Sequence, residues 1–126
     1  MKPYTEIDGL EDIVLEESYV LGITATPGQL VFKVDFVLTT DHPLYQPPPA
    51  GTIECFRRGG FRFQTVKSLQ WSDQGAPPTR DPSGEIDYGH IEWFEWKPGC
   101  YRLEGGWGFI EVAGGDVQVT IDEADS

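Results

Sequence analysis

The residues best suited to chemistry lie together in the stretch DYGHI. Asp87 and His90 could serve as an orienting carboxylate and a general base, with Tyr88 or Ser83 as the hydroxyl that the base activates. Positions 87 and 90 point to opposite faces of a strand, so this pairing requires a bulge or bend near Gly89. No nucleophile-elbow motif accompanies them. We therefore expect a structural histidine in a non-enzymatic protein, and keep an enzyme that uses Asp87, Tyr88 and His90 as an alternative.

Three carboxylates surround the turn formed by Pro82, Ser83 and Gly84. Asp81, Glu85 and Asp87 offer the oxygen ligands that a hard cation such as calcium prefers. The spacing departs from the EF-hand pattern, because position 83 is serine and the glycine comes too early. An acidic turn is usually solvated, so we expect neither a metal nor a cofactor.

All four tryptophans lie in the second half of the chain, two of them in the segment IEWFEW. A surface tryptophan can stack on sugars or anchor a protein interface. Alternation along a strand places Trp93 opposite Phe94 and Trp96, so at least one of these rings should face outward or toward a second layer. An outward tryptophan beside Glu92 and Glu95 would form an acidic, aromatic binding patch. The predicted binding residues are Trp93, Trp96, Glu92 and Glu95, together with Asp87 on the rim and His90.

A basic cluster contrasts with the rest of the chain. Arg57, Arg58, Arg62 and Lys67 are four of the nine basic residues. They could form an anion site, but we favour internal pairing with the acid-rich C-terminal half. The stretch GGWG is neither a Walker A sequence nor a dinucleotide fingerprint, so it predicts a turn or bulge between strands.

These side chains must be positioned by strands. Apolar residues alternate with period two in residues 30–38, around Phe61 and Phe63, and in residues 117–121. Turn signals at Pro27-Gly28 and Gly59-Gly60 predict two hairpins. A long strand over residues 86–97 should bend near Gly89.

The frequency of turns limits the choice of fold. With 15 Gly and 10 Pro in 126 residues, long helices have little room. About eight strands joined by tight turns predict an all-β, antiparallel β-sandwich or closed β-barrel, formed as a single domain over residues 1–126. We expect at most one short helix, at residues 8–17, where Ile13 and Val14 could dock.

The charge balance narrows the range of partners. The chain has 21 acids against 9 Lys and Arg, a net charge of −12. Such a field repels nucleic acid and anionic membranes, and attracts a basic protein. Since the sequence shows no signal peptide or membrane-spanning segment, we expect a cytoplasmic protein, in which Cys55 and Cys100 are reduced thiols.

The stretches DPSGEIDYGHI (residues 81–91), YRLEGGWG (residues 101–108) and HPLY (residues 42–45) resemble a small, uncharacterised bacterial protein family. The resemblance covers most of the chain. It implies a compact bacterial protein, and it assigns no activity and no site residue.

The sequence thus favours a non-enzymatic, acidic protein-binding module. An immunity-type or inhibitory protein that docks on a basic partner would fit the small size, the acidity and the lack of a catalytic motif. A small-ligand or carbohydrate-binding domain that uses the tryptophans and the long loops is the alternative, besides the enzyme described above.

Overall fold

Antiparallel strands account for nearly all of the regular structure. The computed structural model describes residues 1–75, 78–80, 82 and 84–122, and this part of the chain contains eleven strands and one 3-10 turn, Tyr4–Glu6. The strands are β1 (Lys2–Pro3), β2 (Tyr19–Thr26), β3 (Gln29–Leu38), β4 (Cys55–Gln64), β5 (Ser68–Ser72), β6 (Thr79–Arg80), β7 (Ile86–Asp87), β8 (Ile91–Lys97), β9 (Cys100–Gly105), β10 (Gly108–Ala113) and β11 (Asp116–Ile121).

The strands form two packed sheets. One sheet has five strands in the order β1-β8-β9-β10-β5, and the other has four in the order β11-β4-β3-β2. A separate pair, β6-β7, lies outside both. The predicted all-β fold is confirmed, and of the two predicted architectures the structure has the β-sandwich.

The core lies between the sheets, where the period-two pattern places it. Leu30, Phe32, Val34 and Phe36 on β3 are fully buried. Phe32 stacks on Phe61 of β4, with ring centroids 4.7 Å apart. Residues from the five-stranded sheet complete the same cluster: Phe94, Leu103, Ile110 and Val112. The inner rows of both sheets therefore build one interior.

The predicted hairpin at Gly59-Gly60 is wrong. Both glycines lie inside β4, which runs without a turn from Cys55 to Gln64. A Cβ atom on Gly59 would lie 2.2 Å from the Thr120 carbonyl oxygen, and one on Gly60 would lie 2.2 Å from that of Phe32. The glycine pair therefore allows the neighbouring strands to approach closely.

The short helix that the sequence allowed at residues 8–17 does not form, because the backbone of this segment bonds to the end of β3 and to the residue after it. The Val14 N–H donates to the Val37 carbonyl oxygen at 2.9 Å, and the Thr39 N–H donates to that of Asp12 at 3.0 Å. Ile13 nevertheless docks as expected and is buried beside Leu38. In the described part of the chain, no helix has the length and the apolar character needed to cross a bilayer.

Candidate functional site

The strand predicted over residues 86–97 is divided in two, with the break where the sequence places the bend. Residues 88–90 separate β7 from β8, and Gly89 has a φ of 91°. Glycine adopts this left-handed conformation without steric cost. The break positions His90 and Tyr88 beside the four-stranded sheet, and it starts β8 at Ile91.

A bulge at Glu92 determines which way the aromatic segment faces. Ile91 pairs with Gly105 and Trp93 pairs with Glu104, so Glu92 is the extra residue. Ile91 and Phe94 are both buried although their positions differ by an odd number. The bulge therefore leaves Glu92 and Trp93 on the outer side of the five-stranded sheet.

An acidic and aromatic surface results. Trp93 stacks on Phe109 of β10, with centroids 6.1 Å apart and planes inclined by 24°. Cross-strand register places Trp93, Glu104 and Phe109 in one row and Glu95, Arg102 and Glu111 in the next. Arg102 Nε donates to Glu111 Oε2 at 3.1 Å. We call this surface the acidic aromatic face, and it comprises Glu92, Trp93, Glu95, Arg102, Glu104, Phe109 and Glu111.

A hollow of about 270 Å³ lies at the edge of this face, between β8 and the N-terminal segment. We call it the rim hollow, and its lining includes Met1, Tyr4, Glu16, Glu92, Trp93 and Glu95. The Tyr4 hydroxyl donates to a Glu16 carboxylate oxygen. Burial, reinforced by this hydrogen bond, raises the pKa of Tyr4, so the phenol stays protonated. The hollow thus combines three carboxylates with three aromatic residues, Tyr4, Trp93 and Phe94.

Trp96 lies on the opposite side of the sheet from Trp93. Its ring stacks on Tyr101 at 6.1 Å, and its Nε1 donates to the Pro3 carbonyl oxygen at 3.0 Å. Lys2 Nζ lies 5.0 Å from the centroid of the same ring. Of the predicted binding residues, Glu92, Trp93 and Glu95 are therefore brought together, and Trp96 instead fastens β1 to β8.

Asp87 and His90 bond to the backbone instead of to each other. Asp87 Oδ1 accepts from the Gly89 N–H at 2.9 Å. His90 Nδ1 lies 2.7 Å from the Ser18 carbonyl oxygen, which can only accept, so this nitrogen carries the proton. The His90 ring also packs on Tyr19 at 4.6 Å. Among the bonds of the described residues, none joins the two side chains, and Ser83 lies outside that part of the chain.

A carboxyl pair lies close to His90. Desolvation, together with the charge of Glu17 and a hydrogen bond to it, raises the pKa of Glu54, while the charge of His90 opposes the rise. Such a pair holds a proton more readily than two separate carboxylates.

The acids around the turn at residues 82–84, which we considered as cation ligands, have other partners where they are described. Glu85 bonds to Arg58 Nη2 at 2.5 Å, and Asp87 caps the Gly89 N–H. Asp81 lies outside the described residues. Within the described ranges, no three metal-ligating side chains come together.

Two residues of the basic cluster have partners inside the protein, and one of them, Arg58, pairs with an acid of the C-terminal half as expected. Arg58 lies between Glu85 and Asp35, whose Oδ1 is 3.6 Å from Arg58 Nε. Arg57 Nη2 donates to the Asp122 carbonyl oxygen at 2.9 Å. Cys55 and Cys100 are both free thiols, and they belong to different sheets.

A second concave site opens between the two sheet edges formed by β2 and β5. We call it the edge cleft; it measures about 270 Å³ and its floor includes Gly22. The side chains lining it are Ile23, Thr24, Trp71, Gln74, Tyr88 and Trp107. Trp71 Nε1 donates to the Trp107 carbonyl oxygen at 3.0 Å, and Trp107 Nε1 donates to that of His90 at 3.2 Å. These bonds fix both indoles in place.

Sequence reasoning missed the edge cleft because its parts come from distant segments that meet at the open side of the sandwich. One signal was present: β2 contains no charged residue from Tyr19 to Thr26. An uncharged strand at the edge of a sheet is unusual, because edges are normally protected by charges.

Comparison with known proteins assigns no family: no protein-family model, no curated protein and no solved structure matches the chain. The function must therefore be argued from the geometry of these two sites.

Proposed function

We propose that this protein is a non-enzymatic binding module that docks a basic protein partner on its acidic aromatic face. The observation that carries the proposal is the stacked Trp93–Phe109 pair on an outer sheet face, bordered by four glutamates. An immunity-type or inhibitory role, in which the module covers a basic functional surface of its partner, is the form of binding that we favour.

The aromatic pair has the properties of an interface anchor. Tryptophan is enriched among residues that dominate binding energy, because it buries a large area at little cost in conformational entropy. Trp93 and Phe109 are only partly covered, and their stacking holds the rings in one orientation. A partner would therefore meet a rigid apolar patch.

The surrounding charges favour a basic partner. The acidic aromatic face has four carboxylates and one guanidinium, and that guanidinium is engaged by Glu111. The whole chain adds a net charge of −12, which attracts a basic protein over long distances and accelerates association.

The rim hollow supplies a specific contact for such a partner. Its carboxylates, from Glu16, Glu92 and Glu95, can pair with a lysine or arginine side chain. The rings of Tyr4 and Trp93 line the same hollow and can stabilise the cation through its contact with their π faces. A protruding basic side chain would fill it.

The cysteines support a cytoplasmic location for this function. Both thiols are free although the chain has enough cysteines for one disulfide. Free thiols are typical of proteins in reducing compartments.

The test is affinity capture from the native cell extract with the wild-type protein and two variants. Trp93→Ala should lose the partner, and Gln118→Ala, which changes the outer face of the other sheet, should retain it. In binding kinetics with the captured partner, Trp93→Ala should weaken affinity by about 2 kcal/mol, or roughly thirtyfold.

Salt dependence separates electrostatic steering from apolar contact. Replacing Glu95 and Glu104 by Gln should mainly slow association and reduce its sensitivity to ionic strength. Equal binding of Trp93→Ala and wild type, or association of the wild type that is insensitive to salt, would refute the proposal.

A further inference from the structure

The edge cleft differs in its charge from three other hollows in the described part of the chain. The described residues that line it are all uncharged, in a chain whose net charge is −12. Three other hollows have charged linings: Lys33 with Arg62, Asp35 with Glu85, and Glu16 with Glu92. An uncharged, partly aromatic cleft with a few polar groups is typical of a site for a neutral ligand.

Along this cleft, some backbone N–H and C=O groups of β2 point away from β3, beyond the edge of the four-stranded sheet. Thr26 and Gln29 flank the two-residue turn as a hydrogen-bonded pair, and such pairs alternate along an antiparallel ladder. Thr24 is therefore bonded to Val31 in the same way, while the N–H and C=O groups of Ile23 and Ala25 point away from β3. No bond of the described residues satisfies these groups.

The chain itself begins the ladder on this edge. The Val20 N–H donates to the Gly89 carbonyl oxygen, and the Val20 carbonyl oxygen accepts from the Tyr88 N–H, both at 2.8 Å. Beyond Val20, the Tyr88 side chain lines the cleft, and the described residues outside β3 form no further backbone hydrogen bond with β2. At this edge, the outward backbone groups of Val20 are therefore hydrogen-bonded, whereas those of Ile23 and Ala25 have no partner among the described residues.

We propose that the edge cleft binds an extended, uncharged peptide segment of a protein, which adds to β2 as a further strand of the four-stranded sheet. Its backbone would pair with Ile23 and Ala25, and one apolar side chain would lie between Trp71 and Tyr88. This mode of recognition obtains affinity from main-chain bonds and specificity from a side-chain pocket. The site is separate from the acidic aromatic face.

The spacing of the free groups favours a peptide over a sugar. Ile23 and Ala25 present donor and acceptor pairs two residues apart, which is the repeat of a β-ladder. A sugar stacked on the Trp71 indole would not match this repeat along the strand.

The experiment uses the full chain and a random peptide library displayed on phage. Selection should enrich uncharged peptides with an alternating pattern and an aromatic or aliphatic residue at one fixed position. Ala25→Pro removes the outward N–H at an edge position that proline tolerates, and should weaken binding of a selected peptide about tenfold. Ala25→Ser keeps the N–H and should bind like the wild type, as should Trp93→Ala.

A second measurement protects the test against misfolding of the proline variant. Two versions of the selected peptide are compared, one N-methylated at its odd-numbered residues and the other at its even-numbered residues. The version whose methyl groups replace the N–H groups that face β2 should not bind the wild type, and the other version should bind it. The proposal would be overturned if the library gave no enrichment, or if both methylated peptides bound equally well. It would also be overturned if, in the peptide-free protein, only neutral oligosaccharides changed the tryptophan emission of the cleft. Since Trp93→Ala is a control here, this failure is distinguishable from failure of the proposed function.

Discussion

The outer faces of the two sheets are built on the same core but differ in character. On the five-stranded sheet, Trp93 and Phe109 stack among glutamates. On the four-stranded sheet, a hollow of about 320 Å³ is lined by the row formed by Lys33, Gly60 and Thr120, with Arg62 in the next row. One face therefore presents apolar bulk with negative charge, and the other presents a floor formed by Gly59 and Gly60 with charges of both signs, Lys33 and Arg62 beside Asp122.

This difference shows that the residues that specify the fold and the residues that can recognise a partner lie on opposite faces of each sheet. Inner rows such as Phe32 and Phe61 are constrained by packing, whereas the outer rows carry side chains that the core does not require. For a basic partner we expect attraction to the acidic aromatic face to be stronger than to the other face, where Lys33 and Arg62 offset the charge of Asp122. This difference in charge would favour one orientation of docking.

The largest expected effect concerns the glycine floor. Gly60→Ala places a Cβ 2.2 Å from the Phe32 carbonyl oxygen, a backbone atom of a central strand that cannot yield easily. We expect a loss of about 3 kcal/mol in the free energy of unfolding, measured by urea denaturation.

Gly22→Ala is the matched control, because a Cβ there meets no atom within 4 Å. Its cost should stay below about 1 kcal/mol. Equal stabilities of the two variants would show that the glycine floor is not a packing requirement.

A smaller effect is expected for the aromatic pair on the other face. A double-mutant cycle with Trp93→Ala and Phe109→Ala should give a coupling energy of about 1 kcal/mol in unfolding, the usual value for a stacked pair. The binding loss of Trp93→Ala should exceed this coupling, since a partner buries the ring further. A coupling energy of zero would mean that the rings do not support each other before the partner arrives.

Much of the fold followed from local patterns, because burial of one sheet face imposes period two on the strands. Residues 30–38 alternate so regularly that β3 and its buried side were predicted together. The Gly59-Gly60 pair misled because glycine marks a turn and a close strand contact equally well, and only the positions of Phe32 and Thr120 distinguish them.

The site was harder to predict because it depends on register. The alternation around Trp93 showed that some rings must face outward, but the bulge at Glu92 selects which. Trp96 was grouped with Trp93 by proximity in sequence, although pleating sends it to the opposite side. The edge cleft required the meeting of β2 with β5, which no short-range pattern encodes.

The smallest effect tests whether the outer face of the four-stranded sheet favours a neutral side chain at Asp35. Burial raises the pKa of Asp35, and Arg58 offsets this only in part because Glu85 engages the same guanidinium. The folded state therefore holds the Asp35 proton more tightly than the unfolded chain, whose aspartate has an ordinary pKa of 3.8. This contribution to stability is present below pH 3.8 and is lost as the pH rises through the folded-state pKa.

Asp35→Asn removes the titration, so its stability relative to wild type should increase as the pH rises from below 3.8 toward neutrality. The lost bridge to Arg58 is largely exposed and should offset little of this gain. Urea denaturation across that pH range measures the difference, with Gln118→Ala as a control that removes no titratable group. A difference that falls with rising pH would mean that Arg58 outweighs burial, and that the face accepts a negative charge more readily than its geometry indicates.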